Sequence, residues 1–157
     1  MRSALDGIRV LDFSRVFAGP AAGQVLGDLG ADVVKIETPG TGDEARQLGL
    51  TEGAEPRLGA SASYLALNRN KRSIAINLKS ESGRAVARRL MANCDVALHN
   101  FRSGAMKRWG LDYDDLRGEN PGLIFGEFFA YGPSGPLADF GANDLALQAH
   151  SGLMSLT

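Results

Sequence analysis

The stretch from Val10 to Glu37 constrains the fold more than any other part of the chain. Val10-Leu11-Asp12-Phe13 and Asp32-Val33-Val34-Lys35-Ile36-Glu37 are short β-branched or aromatic runs bounded by Gly, Asp and Pro, which is the pattern of strands. The segment between them reads as a helix. Pro20 suits its first turn, Ala21, Val25, Leu26 and Leu29 form an apolar face, and Gly30 suits a left-handed stop. Two strands joined through a helix must run parallel, so the chain is expected to be an α/β protein built on a parallel sheet with flanking helices.

The pattern recurs without repeating its sequence. A strand is expected over Ser73–Leu78, a helix after a Ser80 cap through ESGRAVARRLMAN, and a strand over Asp95–Asn100. SGAMKRWG reads as a short helix stopped by Gly110, DYDDLRGEN as another capped by Asp112, and Leu123–Gly132 as a long strand. Thr38–Ser63 holds Pro39, Gly40, Gly42, Gly53, Pro56 and Gly59 without a steady period, and is expected as a surface excursion of the kind that carries function. NDLALQAHSGLMSL opens a further helix, with Asp144 capping or opening it, and the chain stops at Thr157 while still apolar. That ending is expected to mark a truncated chain, with 1–157 as one part of a larger domain.

Cys94 has no partner for a disulfide, and no Cys or His residues stand at metal-ligand spacing, so a reducing cytoplasm and no metal are expected. No run approaches the ~20 apolar residues of a membrane span. Net charge is −1 overall, yet Arg69 to Arg108 holds ten Lys and Arg against Glu81 and Asp95, a local excess of +8. Such a field favours phosphate or another polyanion. Within it, Arg84, Arg88 and Arg89 read as a solvated helix face, whereas NRNKR and NFRSGAMKR place cations in turns beside strand ends, where parallel sheets bind ligands. No recognition module or stacking pattern for nucleic acid is visible, so a compact ligand with a few phosphates fits better.

The loop SRVFAGPAAG carries only Gly19 and Gly23, which is not the G-x-G-x-x-G spacing of dinucleotide sites, and no Walker loop occurs. Spacing alone leaves two readings, a tight start to a helix or a loop for another phosphate-bearing ligand. His99 and His150 lack a serine elbow or cysteine partner and read as structural; Asp12 and Asp28 read as caps or pairs, and Asp43 and Glu44 lie on the long excursion.

Four segments then carry a resemblance: LDGIRVLDFSRVFAGPAAGQVLGDLGADVVKIETPGTGDEAR, NRNKRSIAINLKSESGR, DVALHNFRSGAMKRWGL and NPGLIFGEFFAYGPSGP. In this order they resemble the N-terminal portion of the class III CoA-transferases, the CaiB/BaiF family, which also includes alpha-methylacyl-CoA racemase. The resemblance runs from Leu5 to Thr157. It implies a Rossmann-like large domain, an interlocked homodimer, and coenzyme A passed between an acyl-CoA and a small carboxylic acid. Matched position by position, it implies CoA contacts from Phe17, Ala18, Ile76, Asn77, Leu78, Lys79, Asn100, Phe101, Arg102 and Arg108. Thr38 stands where some members set an arginine against the adenine, and Gly141 and Ala142 where some use a lysine. The nucleophile of such transferases is an aspartate, expected beyond Thr157; Asp144 is not its counterpart. Racemases of this family carry a histidine where this chain has Asn143, whose amide does not titrate near neutrality, so transferase is favoured over racemase. If the gene ends at Thr157, a non-catalytic CoA-binding module becomes the better description.

Overall fold

The computed structural model describes residues 2–50 and 59–156. Five parallel strands form one sheet: β1 (Arg9–Asp12), β2 (Asp32–Glu37), β3 (Lys71–Ala75), β4 (Val96–His99) and β5 (Ile124–Glu127), in the order β3-β2-β1-β4-β5. The helices are α1 (Ala18–Asp28), α2 (Ala62–Asn68), α3 (Glu81–Met91), α4 (Ala105–Arg108), α5 (Tyr113–Leu116) and α6 (Asp144–His150). Strand order reverses between β1 and β4, because the first crossovers lead toward β3 and the later one back across β1. That reversal opens a crevice at the carboxyl ends of the two central strands.

The strands alternate between two apolar layers. Val10, Val33 and Leu98 pack with Ala31 and Leu26 on the face that α1 covers. Leu11, Phe13, Ile36 and Ala97 face Ala87 and Met91 of α3, Met106 of α4 and Leu116 of α5. The face of α1 that meets the sheet is only partly the expected apolar one: Leu26 packs there, but Val25 and Leu29 are exposed, while Gly19, Pro20, Gly23 and Gly27 are buried. A Cβ on Gly23 would lie 2.7 Å from Asp12 Oδ2, and one on Gly27 3.2 Å from the Asn70 carbonyl oxygen. The glycines spaced by four therefore serve close helix-to-sheet packing.

Several boundaries differ from expectation for physical reasons. β3 runs Lys71–Ala75, two residues earlier than expected, because an edge strand paired on one side accepts Lys71, Arg72 and Ser73. Ile76 to Lys79 thus leave the sheet as a loop, with only the Ile76 amide still bonded to Glu37 O. β5 ends at Glu127, and the chain after it turns through Gly132 and Gly135, both at positive φ. The excursion after β2 contains a 3-10 turn at Glu44–Arg46 and buries Asp43 and Ala45; its residues 51–58 lie outside the described ones. Ser80, Asp112 and Asn143 cap α3, α5 and α6, so Asp144 is the first residue of its helix and not its cap. α6 buries no residue, and Leu145, Leu153 and Leu156 are exposed.

Candidate functional site

The loops that follow β1 and β4 are stitched together at the reversal point. Asn100 Oδ1 accepts from the Arg15 amide and Asn100 Nδ2 donates to the Arg15 carbonyl, each at 2.8 Å. A reciprocal amide pair of this kind holds two backbone segments in one register. Above it the Arg15 guanidinium lies 5.2 Å from the centre of the Phe101 ring and 3.2 Å from Thr38 Oγ1. Phe101 in turn meets Trp109 edge to face at 5.2 Å.

A buried ionic floor fixes the β1 loop from below. Lys35 Nζ lies 2.8 Å from Asp43 Oδ2 and donates to the Ser14 carbonyl, with both charged side chains 1% exposed. Asp43 also accepts from the Val16 amide at 3.2 Å. Val16 has φ 66, a region unfavourable for a β-branched residue, so the ion pair holds the backbone where its side chain alone would not. Beside this pair, Glu37 is gripped by Arg46, Tyr64, Ser73 and the Asp43 amide. Burial raises the Glu37 carboxyl, but these donors outweigh it and hold it at about 2.

Between the loops lies a cleft of about 250 Å³. Ile36, Ile76, Leu78, Phe101 and Trp109 give it an apolar, partly aromatic wall; Arg15, Thr38, Asn77 and Lys79 give it a polar rim. Arg84, expected on a solvated face, instead donates to the carbonyls of Lys79 at 2.9 Å and Leu78 at 3.4 Å and so shapes the 76–79 loop. Arg88 is likewise not free: it binds Glu119 and the carbonyls of Gly110 and Asp115.

Of the ten residues singled out in the sequence, Ile76, Asn77, Leu78, Lys79 and Phe101 line this cleft. Asn100 supports it from behind. Phe17 and Ala18 stand exposed at the start of α1, two and three residues beyond Arg15. Arg102 and Arg108 lie outside the cleft on the turn and helix that follow β4, both exposed and without an ion-pair partner among the described residues. The Arg102 guanidinium rests against Gly141, where a Cβ would come within 3.0 Å of Nε. The NRNKR cations do not belong here. That segment sits at the opposite, amino end of β3, and its charges are spent: Lys71 on Asp12 at 2.8 Å, Arg69 on Asp28, Arg72 on Asp32. Burial pulls the Lys71 ammonium below its ordinary value despite Asp12. Arg15 and Trp109 escaped the sequence reading, which puts Arg84 in solvent; the position of Arg15, in the loop after the first strand of a parallel sheet, was the available signal for it.

Two further groups bear on the chemistry. Cys94 is buried, and burial pushes its thiol up to about 11, out of the range of a nucleophilic thiolate. Asp144 accepts from Gln148 on the surface of α6. Among the described residues no group of three or more His, Cys, Asp or Glu could hold a metal, and no helix is long and apolar enough to cross a membrane.

An open parallel sheet with a cation-rimmed, aromatic cleft at its reversal point places the chain among the doubly wound α/β proteins. The chain belongs to CoA-transferase family III, whose family model matches residues 5–157. It is similar to the succinate–glutarate CoA-transferase of Agrobacterium fabrum, with 46% identity over 155 residues, covering 98% of this chain and 39% of that protein. It is also similar to the human succinyl-CoA:glutarate CoA-transferase, with 41% identity over 98% of this chain and 34% of that protein. The crystal structure of a CaiB/BaiF family protein from Brucella suis superposes with a TM-score of 0.91 at 40% identity, covering 100% of this chain and 41% of that one. That of Rv3272 from Mycobacterium tuberculosis gives a TM-score of 0.88 at 42% identity, covering 99% and 42% of the two chains. The chain thus spans about two fifths or less of the length of these relatives.

Proposed function

We propose that residues 1–157 are the coenzyme A-binding part of an acyl-CoA:carboxylate CoA-transferase. The observation that carries this reading is the cleft at the β1–β4 reversal, where Arg15 and Lys79 have no ion-pair partner among the described residues and stand over the Phe101–Trp109 wall. A cleft of about 250 Å³ is smaller than the ~300–1,000 Å³ of sites that enclose a drug-sized ligand, so it takes one end of a long molecule. The apolar, partly aromatic wall suits the adenine, with the Arg15 guanidinium beside Thr38 supplying the cation that residue 38 lacks. Phosphates then meet Lys79, Arg102 and Arg108, through the charge-assisted contacts that are the strong kind.

In this mechanism an aspartate outside residues 1–157 attacks the donor thioester. Its carboxylate forms a mixed anhydride and releases CoA thiolate; the thiolate returns to the aspartyl carbonyl, giving an aspartyl-CoA thioester and freeing the donor acid. The acceptor carboxylate then takes the same two steps in reverse. The covalent route divides one difficult exchange into easier ones. Asp12 and Asp43 are locked in buried pairs and cannot serve. Asn143 is an amide whose oxygen caps α6 by accepting from Ala146, which leaves no proton shuttle for a racemase at that position. The relatives named for succinate, glutarate and oxalate support a small carboxylic acid as acceptor. Exposed Leu145, Leu153 and Leu156 suit coverage by further chain in an interlocked homodimer, and the lone buried Cys94 suits a reducing cytoplasm.

The test is to incubate the intact protein with succinyl-CoA and a panel of carboxylic acids and to follow new acyl-CoA species by mass spectrometry. CoA moving to an acceptor without release of free CoA is the expected result. Deuterium exchange at the carbon beside the thioester, with no acceptor present, would replace the transferase by a racemase; CoA binding with neither reaction would leave a binding module.

A further inference from the structure

His99 is the last residue of β4, immediately before the turn that carries Asn100, Phe101 and Arg102. It is 2% exposed. Its Nε2 lies 3.0 Å from Glu127 Oε1 at the end of β5, and its Nδ1 lies 3.3 Å from the Phe101 amide nitrogen. An amide N–H only donates, so Nδ1 presents its lone pair and the ring proton sits on Nε2, given to Glu127. The imidazole is boxed by aromatic rings, with Phe101 stacked at 5.8 Å and Phe125 edge-on at 5.2 Å. One ring therefore clamps the turn at one end and is oriented by a carboxylate at the other. The turn it clamps sets the Phe101 ring beneath Arg15 and the Asn100 bridge to the β1 loop.

We propose that His99, oriented by Glu127, is a positioning residue for the nucleotide-binding turn, and that only the neutral imidazole holds the turn in its binding form. The inference rests on the coenzyme A reading of the cleft. Protonation places a hydrogen on Nδ1 facing the Phe101 N–H, and two donors cannot bond to one another; the amide loses its acceptor and the turn loses its anchor. The charged groups around the ring are Glu127 on β5 and Asp112 before α5, which favour the imidazolium, and Lys107 on α4, which opposes it. With His99 all three line a cavity of about 230 Å³. Burial outweighs the two carboxylates and keeps the imidazole below its ordinary value of 6.5. A lowered histidine contributes fully above the unfolded value of 6.5, and that contribution erodes as pH falls below it.

The experiment is calorimetry of CoA binding to the intact protein at about pH 8 and about pH 5, for the native sequence, His99→Asn and Glu127→Gln. The asparagine oxygen can replace Nδ1 as acceptor and does not titrate, and a shared ligand cancels the titration of the CoA phosphates themselves. Between the two pH values the native protein is expected to lose about tenfold more affinity than His99→Asn, the scale of one unmade buried hydrogen bond. Glu127→Gln removes a charge that favours the imidazolium and is expected to keep full affinity to a lower pH than the native protein. Parallel pH profiles for native protein and His99→Asn overturn the proposal. If His99→Asn does not fold, an unshifted profile in Glu127→Gln overturns it. Failure of the native protein to bind CoA at about pH 8 overturns the coenzyme A reading instead.

Discussion

Arg69 precedes β3 and Lys71 and Arg72 open it; Arg102, Lys107 and Arg108 follow β4. The two groups are chemically alike and both fall inside the same basic stretch of sequence. They differ in what surrounds them. The first group sits at the amino end of an edge strand and is neutralised residue by residue, by Asp28, Asp12 and Asp32. The second sits beyond the carboxyl end of a central strand and has no ion-pair partner among the described residues. A count of charges finds both groups; only the partners separate a cation that holds the protein together from one that is left for a ligand.

The contrast can be broken by substitution. Lys71→Ala strands the Asp12 carboxylate, which is 0% exposed, and is expected to cost about 3–5 kcal/mol of stability in urea unfolding, the penalty of an unpaired buried charge. A loss below about 1 kcal/mol would show that the buried pair is not the anchor described. Arg108→Ala should leave unfolding within about 0.5 kcal/mol of the native protein while weakening CoA by about 1.5–3 kcal/mol in calorimetry. Unchanged affinity removes Arg108 from the site. Arg72→Ala, which breaks an exposed pair with Asp32, should change stability by no more than about 1 kcal/mol and leave CoA affinity untouched, sharpening the division between the two groups.

The parallel sheet was legible in the sequence because buried central strands advertise themselves as short apolar runs between turn residues: β1, β2 and β4 all lie within a residue of where the pattern puts them. The edge strands were legible in place but not in their bounds: β3 starts two residues before the apolar run because its first residues are polar and exposed, and β5 ends at Glu127, inside the longer run that the sequence offers. The glycine face of α1 was hidden for a related reason: hydrophobic periodicity looks for large side chains, and this helix packs through the absence of them. In the site, the 76–79 loop and Phe101 could be named in advance by resemblance, whereas Arg84 could not, because its role is to hold backbone carbonyls that no residue type announces. The Asn100–Arg15 bridge joins positions 85 residues apart, a pairing that local pattern does not contain.

The unfavourable backbone at Val16 has an evolutionary consequence. Val16, Lys35 and Asp43 come from three separate stretches of chain, yet the conformation of the first is tolerable only while the other two stay charged and in place. Such positions are inherited as a block: a chimaera that imports one of these stretches from a distant cousin should suffer more than the sum of its individual changes, and recover only when all three travel together.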